Sequence, residues 1–304
     1  MKKKNIKIGL VALLLLFLGW YLFIKENDYL INFKVTTATG TVFQGIQEWS
    51  KSREKGHNEH FITLEEAKYD FIKQEMTKGK TRCIYSWEIQ SVNDSTSSVS
   101  IGIKEFKNSL YNRITAPFWN TTWKKNHIER IKDFKKGLEE HLKNFKVKIE
   151  GEATSEATYV AYINLKSVMQ EKAQTMIMND GIITGFLQKN NIKIIGRPYL
   201  EINAWDKETE KLDFNYCFPI DKNTPEIQDP QVKFKTLPAT KGLQATYYGN
   251  FRTSDRGWFA LLDYAKRNKI SISNKPLEHF LANPFNGGNE LEWQTKIIIP
   301  FSTK

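Results

Sequence analysis

Glu278 lies in the run Leu277-Glu278-His279-Phe280, where a carboxylate stands among large apolar neighbours. Turned inward, it would be desolvated unless a cation joined it, and aromatic faces attract cations too. The pattern places Trp205, Tyr216, Trp258 and Trp293 so that they can share one groove with Glu278 and Phe280. That chemistry is recognition of a cation. From the residues alone the preferred reading is that strand alternation turns Glu278 to solvent. Glu201 has the same two readings, and for it the solvent-facing one is preferred.

Other reactive groupings do not make sites. Gly79-Lys80-Thr81 resembles the end of a phosphate loop, but Gln74 occupies the required first glycine and a strand pattern, RCIYSWEI, follows where a helix is needed. His57-Asn58-Glu59-His60 offers two imidazoles within a polar stretch and reads as solvated loop. Glu139 and Glu140 are adjacent on a helix and do not face each other. GxSxG, HExxH and GxGxxG are all absent, and Cys83, in a strand without a paired histidine, reads as core. Cys83 and Cys217 are too few for a disulfide framework or a cysteine-based zinc site. No cofactor and no metal are expected.

The elements that must position Glu278 begin with a membrane segment. Residues 8–24 carry no charge over 17 positions, nearly enough to cross a ~30 Å hydrocarbon core. Lys2, Lys3, Lys4 and Lys7 precede this run, whereas Lys25, Glu26 and Asp28 follow it. The positive-inside bias therefore predicts a single-pass protein in the cell membrane, N-terminus cytoplasmic and bulk of the chain extracytoplasmic. A cleavable signal peptide fits less well, because Trp20, Tyr21 and Phe23 stand where small residues are needed. The net charge of +11 favours anionic neighbours, and part of it is this topology signal. At 40% hydrophobic and 13% aromatic residues the chain is too apolar to be disordered.

Three regions are expected: residues 1–27 as cytoplasmic lysines and anchor, 28–146 as a first domain and 147–304 as a second. In the first, a strand at 29–36 leads into a short helix carrying Val42, Phe43, Ile46 and Trp49, and residues 50–60 read as a polar loop. Segments 68–76, 81–92 and 97–107 read as antiparallel strands. Pro117 opens a long helix with Trp119, Trp123, Ile131, Phe134, Leu138, Leu142 and Phe145 on one stripe. Its basic run from Lys124 to Lys136 reads as a solvated face. This order of elements resembles the START-like (SRPBCC, polyketide cyclase-like) helix-grip fold, which implies an apolar cavity between sheet and last helix.

The second region repeats itself. Strand 157–164, helix 167–189 and two strands in GRPYLEINAW and KLDFNYCFPI are answered by strand 242–248, helix 256–268 and two strands in NKPLEHFLANP and LEWQTKIIIPF. Each unit reads as βαββ, with Arg197 to Glu201 answering Lys275 to Glu278. The matching pieces, among them Tyr159 to Tyr162, Leu237-Pro238, Tyr248 to Phe251, Trp258, Pro276 to Phe280 and Ile297 to Pro300, resemble the GyrI-like effector-binding domain (SOUL-like) of multidrug-sensing activators. The resemblance implies a groove binding lipophilic, cationic molecules between aromatic rings, with Glu278 as counter-charge. Phe280 and Phe251 stand where tyrosine is usual and Tyr248 where histidine is usual, which makes the groove more apolar than the family pattern.

The fold class is thus α+β: an N-terminal membrane helix, a START-like helix-grip domain and a duplicated βαββ GyrI-like domain. The expected function is non-catalytic binding of a lipophilic or cationic small molecule by Glu278, Phe280, Trp258, Trp205, Tyr216, Tyr248 and Trp293. The alternative is hydrolysis of small electrophilic compounds with the groove glutamate as general base, which needs a positioned donor that Phe280 and Phe251 do not supply. A membrane is the second expected partner, through the N-terminal helix. No nucleic acid is expected, since the helix-turn-helix of the activators is absent.

Overall fold

The computed structural model describes residues 2–282 and 287–302. The chain packs as two units, Met1–Thr36, Val42–Gln90 and Thr96–Glu139 forming one, and Thr37–Thr41, Ser91–Ser95 and Glu140–Lys304 the other. Within the first, helix α1 (Lys2–Gly19) continues through a five-residue π turn, Trp20–Ile24. Ile6–Ile24 form a helix long and apolar enough to cross a membrane.

Strands β1 (Tyr29–Val35), β2 (His60–Ala67), β3 (Phe71–Lys78), β4 (Thr81–Asn93) and β5 (Thr96–Glu105) form an antiparallel sheet in the order β1-β5-β4-β3-β2. Gly79, at φ 58°, turns the β3–β4 hairpin, so the Gly-Lys-Thr run is a turn between strands. The core pairs this sheet with helices α2 (Thr39–His57) and α4 (Thr122–Leu142). Phe134 of α4 meets Trp87 of β4, Trp49 of α2 and Phe33 of β1 at ring separations of 5.2, 5.7 and 6.2 Å. Ile131 and Leu138, one turn away on either side, are buried with it.

Two sequence expectations need correction here. Residues 50–60 are not a loop: α2 runs on to His57, ends at Asn58 in the left-handed region (φ 52°), and β2 starts at His60. The cause is long-range, because Glu59 is buried and draws Arg53, Arg130 and Lys78 onto itself at 2.8 to 3.1 Å. Burial alone would raise its pKa, but hydrogen bonds from Arg53 and Lys78 and the charge of Arg130 hold it down at about 2. His57 and His60 flank this cluster and are exposed. The long helix begins at Thr122, not Pro117, because the Thr121 hydroxyl accepts the Lys124 amide at 3.2 Å. Pro117 instead follows a short helix, α3 (Ser109–Thr115), that periodicity did not mark, and Trp119 is exposed outside the stripe.

The second unit holds β6 (Phe145–Thr154), β7 (Thr158–Val168), α5 (Lys172–Lys189), β8 (Tyr199–Asp206), β9 (Lys211–Pro219), β10 (Val232–Leu237), β11 (Lys241–Gly249), α6 (Asp255–Asn268), β12 (Leu277–Phe280) and β13 (Gln294–Pro300). Each repeat is therefore ββαββ rather than βαββ, with β6 and β10 the added strands. Their order is β10-β7-β9-β8-β12-β13-β11-β6. Exchanging the two repeats and reversing the list returns the same order, so the strands obey a pseudo-twofold axis between β8 and β12. Each repeat lends its first strand to the other: β6 pairs with β11, and β10 with β7. β6 alternates apolar and charged residues along the edge of the sheet.

The register at the axis settles which residues correspond. Glu278 pairs with Leu200, Leu277 with Glu201 and His279 with Tyr199. Leu200, not Glu201, occupies the position equivalent to Glu278, and a one-residue offset exchanges the faces of the sheet. Glu201 therefore faces away from Glu278 and accepts Asn215 Nδ2 at 2.7 Å and the Lys235 ammonium. The helices cover the Glu278 face. Gly257 lets α6 approach closely, since a Cβ there would come within 2.3 Å of Ile297 Cδ1.

Candidate functional site

Two features on the helix-covered face of the second sheet carry chemistry. The first is a buried charge cluster at the start of α6. Glu278 is fully buried, and the Ser254 hydroxyl lies 2.9 and 2.8 Å from its two carboxylate oxygens. Lys172, at the start of α5 and equally buried, donates to Asp255 Oδ1 at 2.8 Å, while Arg256 donates to Asp255 Oδ2 at 2.6 Å. Burial pushes the Glu278 carboxyl up to about 7, against the opposing pull of the Lys172 charge and the Ser254 hydroxyl, with Asp255 adding to the rise.

Lys172 also sits 5.5 Å from the centre of the Trp258 ring. The cation that Glu278 and Trp258 call for is thus supplied by the chain itself. Trp258 is fully buried and meets Trp205 edge-on at 5.2 Å. These two tryptophans are core, which accounts for their aromatic character without a ligand.

The second feature is a pocket of about 320 Å³ between α5, the ends of β9 and β12, and the turns at 194–198 and 251–253. Its volume falls at the lower end of small-molecule sites, ~300 to 1,000 Å³. Two aromatic pairs wall it: Phe251 with Phe280 at 5.5 Å, and Tyr216 with Phe218 at 5.0 Å. Met176, Ile177 and Ile194 add aliphatic surface. The polar lining includes Asp180, Thr184 and Arg197. The Tyr216 hydroxyl donates to Asp180 Oδ1 at 2.9 Å. Burial, and then the Asp180 charge, push the phenol well above its ordinary pKa, so it stays protonated and keeps donating.

Of the residues singled out from sequence, Tyr216 and Phe280 line this pocket, whereas Glu278, Trp258, Trp205, Tyr248 and Trp293 are not among its lining residues. Glu278 and Phe280 do share a face of β12, two residues apart, but the carboxylate is turned to Ser254. Tyr248 and Trp293 are half-buried, Tyr248 one residue out of phase with the buried Tyr247. Asp180 was missed. Its signal was present in α5, where the one carboxylate of the helix shares a face with Met176 and Thr184 at spacings of four.

The first unit holds a different buried group. His127 Nδ1 is 2.6 Å from the Tyr85 hydroxyl, and its Nε2 is 3.9 Å from Cys83 Sγ. Burial pushes the Cys83 thiol up to about 12 and the His127 imidazole down to about 3. Both are neutral, so this pair is no activated nucleophile. Among the described residues no cluster of three or more potential metal ligands occurs.

No protein-family model and no curated protein matches the chain. Solved structures do resemble about half of it. The C-terminal domain of EcmrR is 13% identical, with 53% of this chain and 99% of that one covered at a TM-score of 0.44. SAV2435 bound to tetraphenylphosphonium is 11% identical over 52% and 93% at 0.35. A hydrolase from Listeria innocua is 10% identical over 54% and 98% at 0.35. At these values no residue role or activity carries over, and the site stands on its own geometry.

Proposed function

We propose that the second unit is a GyrI-like small-molecule-binding domain whose pocket holds a lipophilic, cationic ligand. The carrying observation is an aromatic-walled pocket that contains Asp180, held by the Tyr216 hydroxyl, with Thr184 and the exposed Arg197 as further polar lining. A carboxylate beside aromatic faces in a low-dielectric recess favours a monocation that also buries hydrocarbon. The paired ββαββ repeats and their shared axis support the family reading, and the sheet packed on α4 supports a START-like reading of the first unit. Binding without turnover is the reading adopted, because the strongly perturbed carboxylate, Glu278, is engaged by Ser254 rather than presented to the pocket. A photoactivatable lipophilic cation should give saturable adducts in α5, around Phe218 and around Phe280, mapped by peptide mass spectrometry. Adducts only outside these segments would remove the pocket from the proposal.

The same proposal places the chain in the cell membrane through α1, N-terminus cytoplasmic, as the lysine asymmetry suggests. A reporter fused after Lys304 should be active outside the cytoplasm, and the protein should stay with the membrane through carbonate extraction. Reporter activity in the cytoplasm would reverse the topology.

A further inference from the structure

We infer that α3 and the turn after it form a second membrane-contacting element, lying in the interfacial layer of the bilayer beside the α1 span. This rests on the anchor reading above and goes beyond it, since a span alone requires nothing of α3. Leu110, Tyr111 and Ile114 fall within one arc of about 100° on α3, and all are exposed. Phe118 and Trp119 extend the patch at 76% and 61% exposure, values that no core role explains. The opposite face of α3 is buried through Asn112, Arg113 and Thr115. A short helix with an apolar, aromatic outer face and a polar inner face is inverted relative to a water-facing one.

What identifies the occupant is how α3 is tied to the span. Arg113, on the inner face, donates from Nη1 to the Leu22 carbonyl at 3.0 Å and from Nη2 to the Glu26 carbonyl at 3.2 Å. These carbonyls flank the end of the span, where backbone acceptors have no partner within the helix. Arg113 Nε also holds the buried Asp28 at 2.9 Å, and Tyr21 returns a hydrogen bond to the Arg113 carbonyl at 3.2 Å. The polar face of α3 is therefore fastened to the residues at which the chain leaves the bilayer. That fixes α3 at the depth of the headgroups, where Trp and Tyr concentrate. Trp119 and Tyr111 are the types expected there, and the exposed Lys107 and Lys125 lie close in sequence, available to lipid phosphates.

The test uses the full chain in vesicles of phosphatidylcholine and phosphatidylglycerol, with an environment-sensitive fluorophore on one introduced cysteine. Cys83 and Cys217 are buried, so labelling is directed to the new thiol. Asn120→Cys places the probe beside Phe118 and Trp119 without removing them, Leu14→Cys places it in α1, and Glu65→Cys on β2 gives the aqueous reference. The Asn120 probe should shift to the blue and be quenched by lipids spin-labelled near the headgroup more than by lipids labelled deep in the chain. Adding Phe118→Ser and Trp119→Ser should return it to the aqueous value while the Leu14 probe stays quenched. A quenched Leu14 probe with a water-exposed Asn120 probe overturns this inference and leaves the anchor standing. If the Leu14 probe is itself unquenched, the anchor reading fails and this inference with it.

Discussion

Lys172→Met should destabilise the second unit by about 3 to 5 kcal/mol, the range for breaking a buried pair by removing one partner. The ammonium is fully buried, holds Asp255 at 2.8 Å and stabilises the charge on Glu278. Methionine fills much of the same volume, so lost packing contributes little and the cost is electrostatic. Asp255 keeps Arg256, whereas Glu278 loses the Lys172 charge that opposes its desolvation. Adding Glu278→Gln to Lys172→Met should therefore recover part of the loss at neutral pH, a coupling a double-mutant cycle reads directly. Urea unfolding of the full chain in detergent gives both numbers. A loss under ~1 kcal/mol would mean the lysine is not the counter-charge of the cluster.

The pH dependence of Glu278 is the second large effect. Its carboxyl titrates at about 7 in the folded chain, against an ordinary 4.5. Between those values the folded state holds a proton that the unfolded chain has released, so stability falls as pH rises. The contribution is present in full below 4.5 and is lost once pH has passed 7, a change of roughly 3 kcal/mol. His279 works in the opposite sense, because burial lowers it to about 4 and its neutral form is favoured between there and 6.5. Comparing wild type with Glu278→Gln cancels that term. The variant should gain on wild type between about pH 4.5 and 7 and level off above that, and parallel melting profiles would show that Glu278 does not titrate in this window.

The existence of a repeat and the order of its central strands and helices were legible because they rest on local periodicity, whereas β2, α3 and the first strand of each repeat were not read. The one-residue offset between Glu201 and Glu278 was not, because a strand pattern does not say which residue of a repeat meets the axis. Glu59 illustrates a related limit. Three basic residues drawn from α2, β3 and α4 make a buried ion cluster out of what reads locally as a solvated loop. At the site, a buried carboxylate beside tryptophan does have a cation near it, but that cation is Lys172, more than a hundred residues earlier in the chain. Tyr216 and Phe280 lie in the pocket lining, where the aromatic pattern of their strands led them to be expected. Asp180 went unnoticed because one acid in a helix is ordinarily a solvated residue.

The account turns on which carboxylate meets the ligand, and a calorimetric titration of Asp180→Asn decides it. Wild type should bind a lipophilic monocation such as a tetraalkylammonium, and Asp180→Asn should weaken it by roughly 10- to 150-fold, the value of a charge-assisted contact worth ~1.5 to 3 kcal/mol. A neutral molecule of the same shape should bind both proteins alike, since the apolar walls are unchanged. Equal affinity of the cation for wild type and Asp180→Asn would contradict the account.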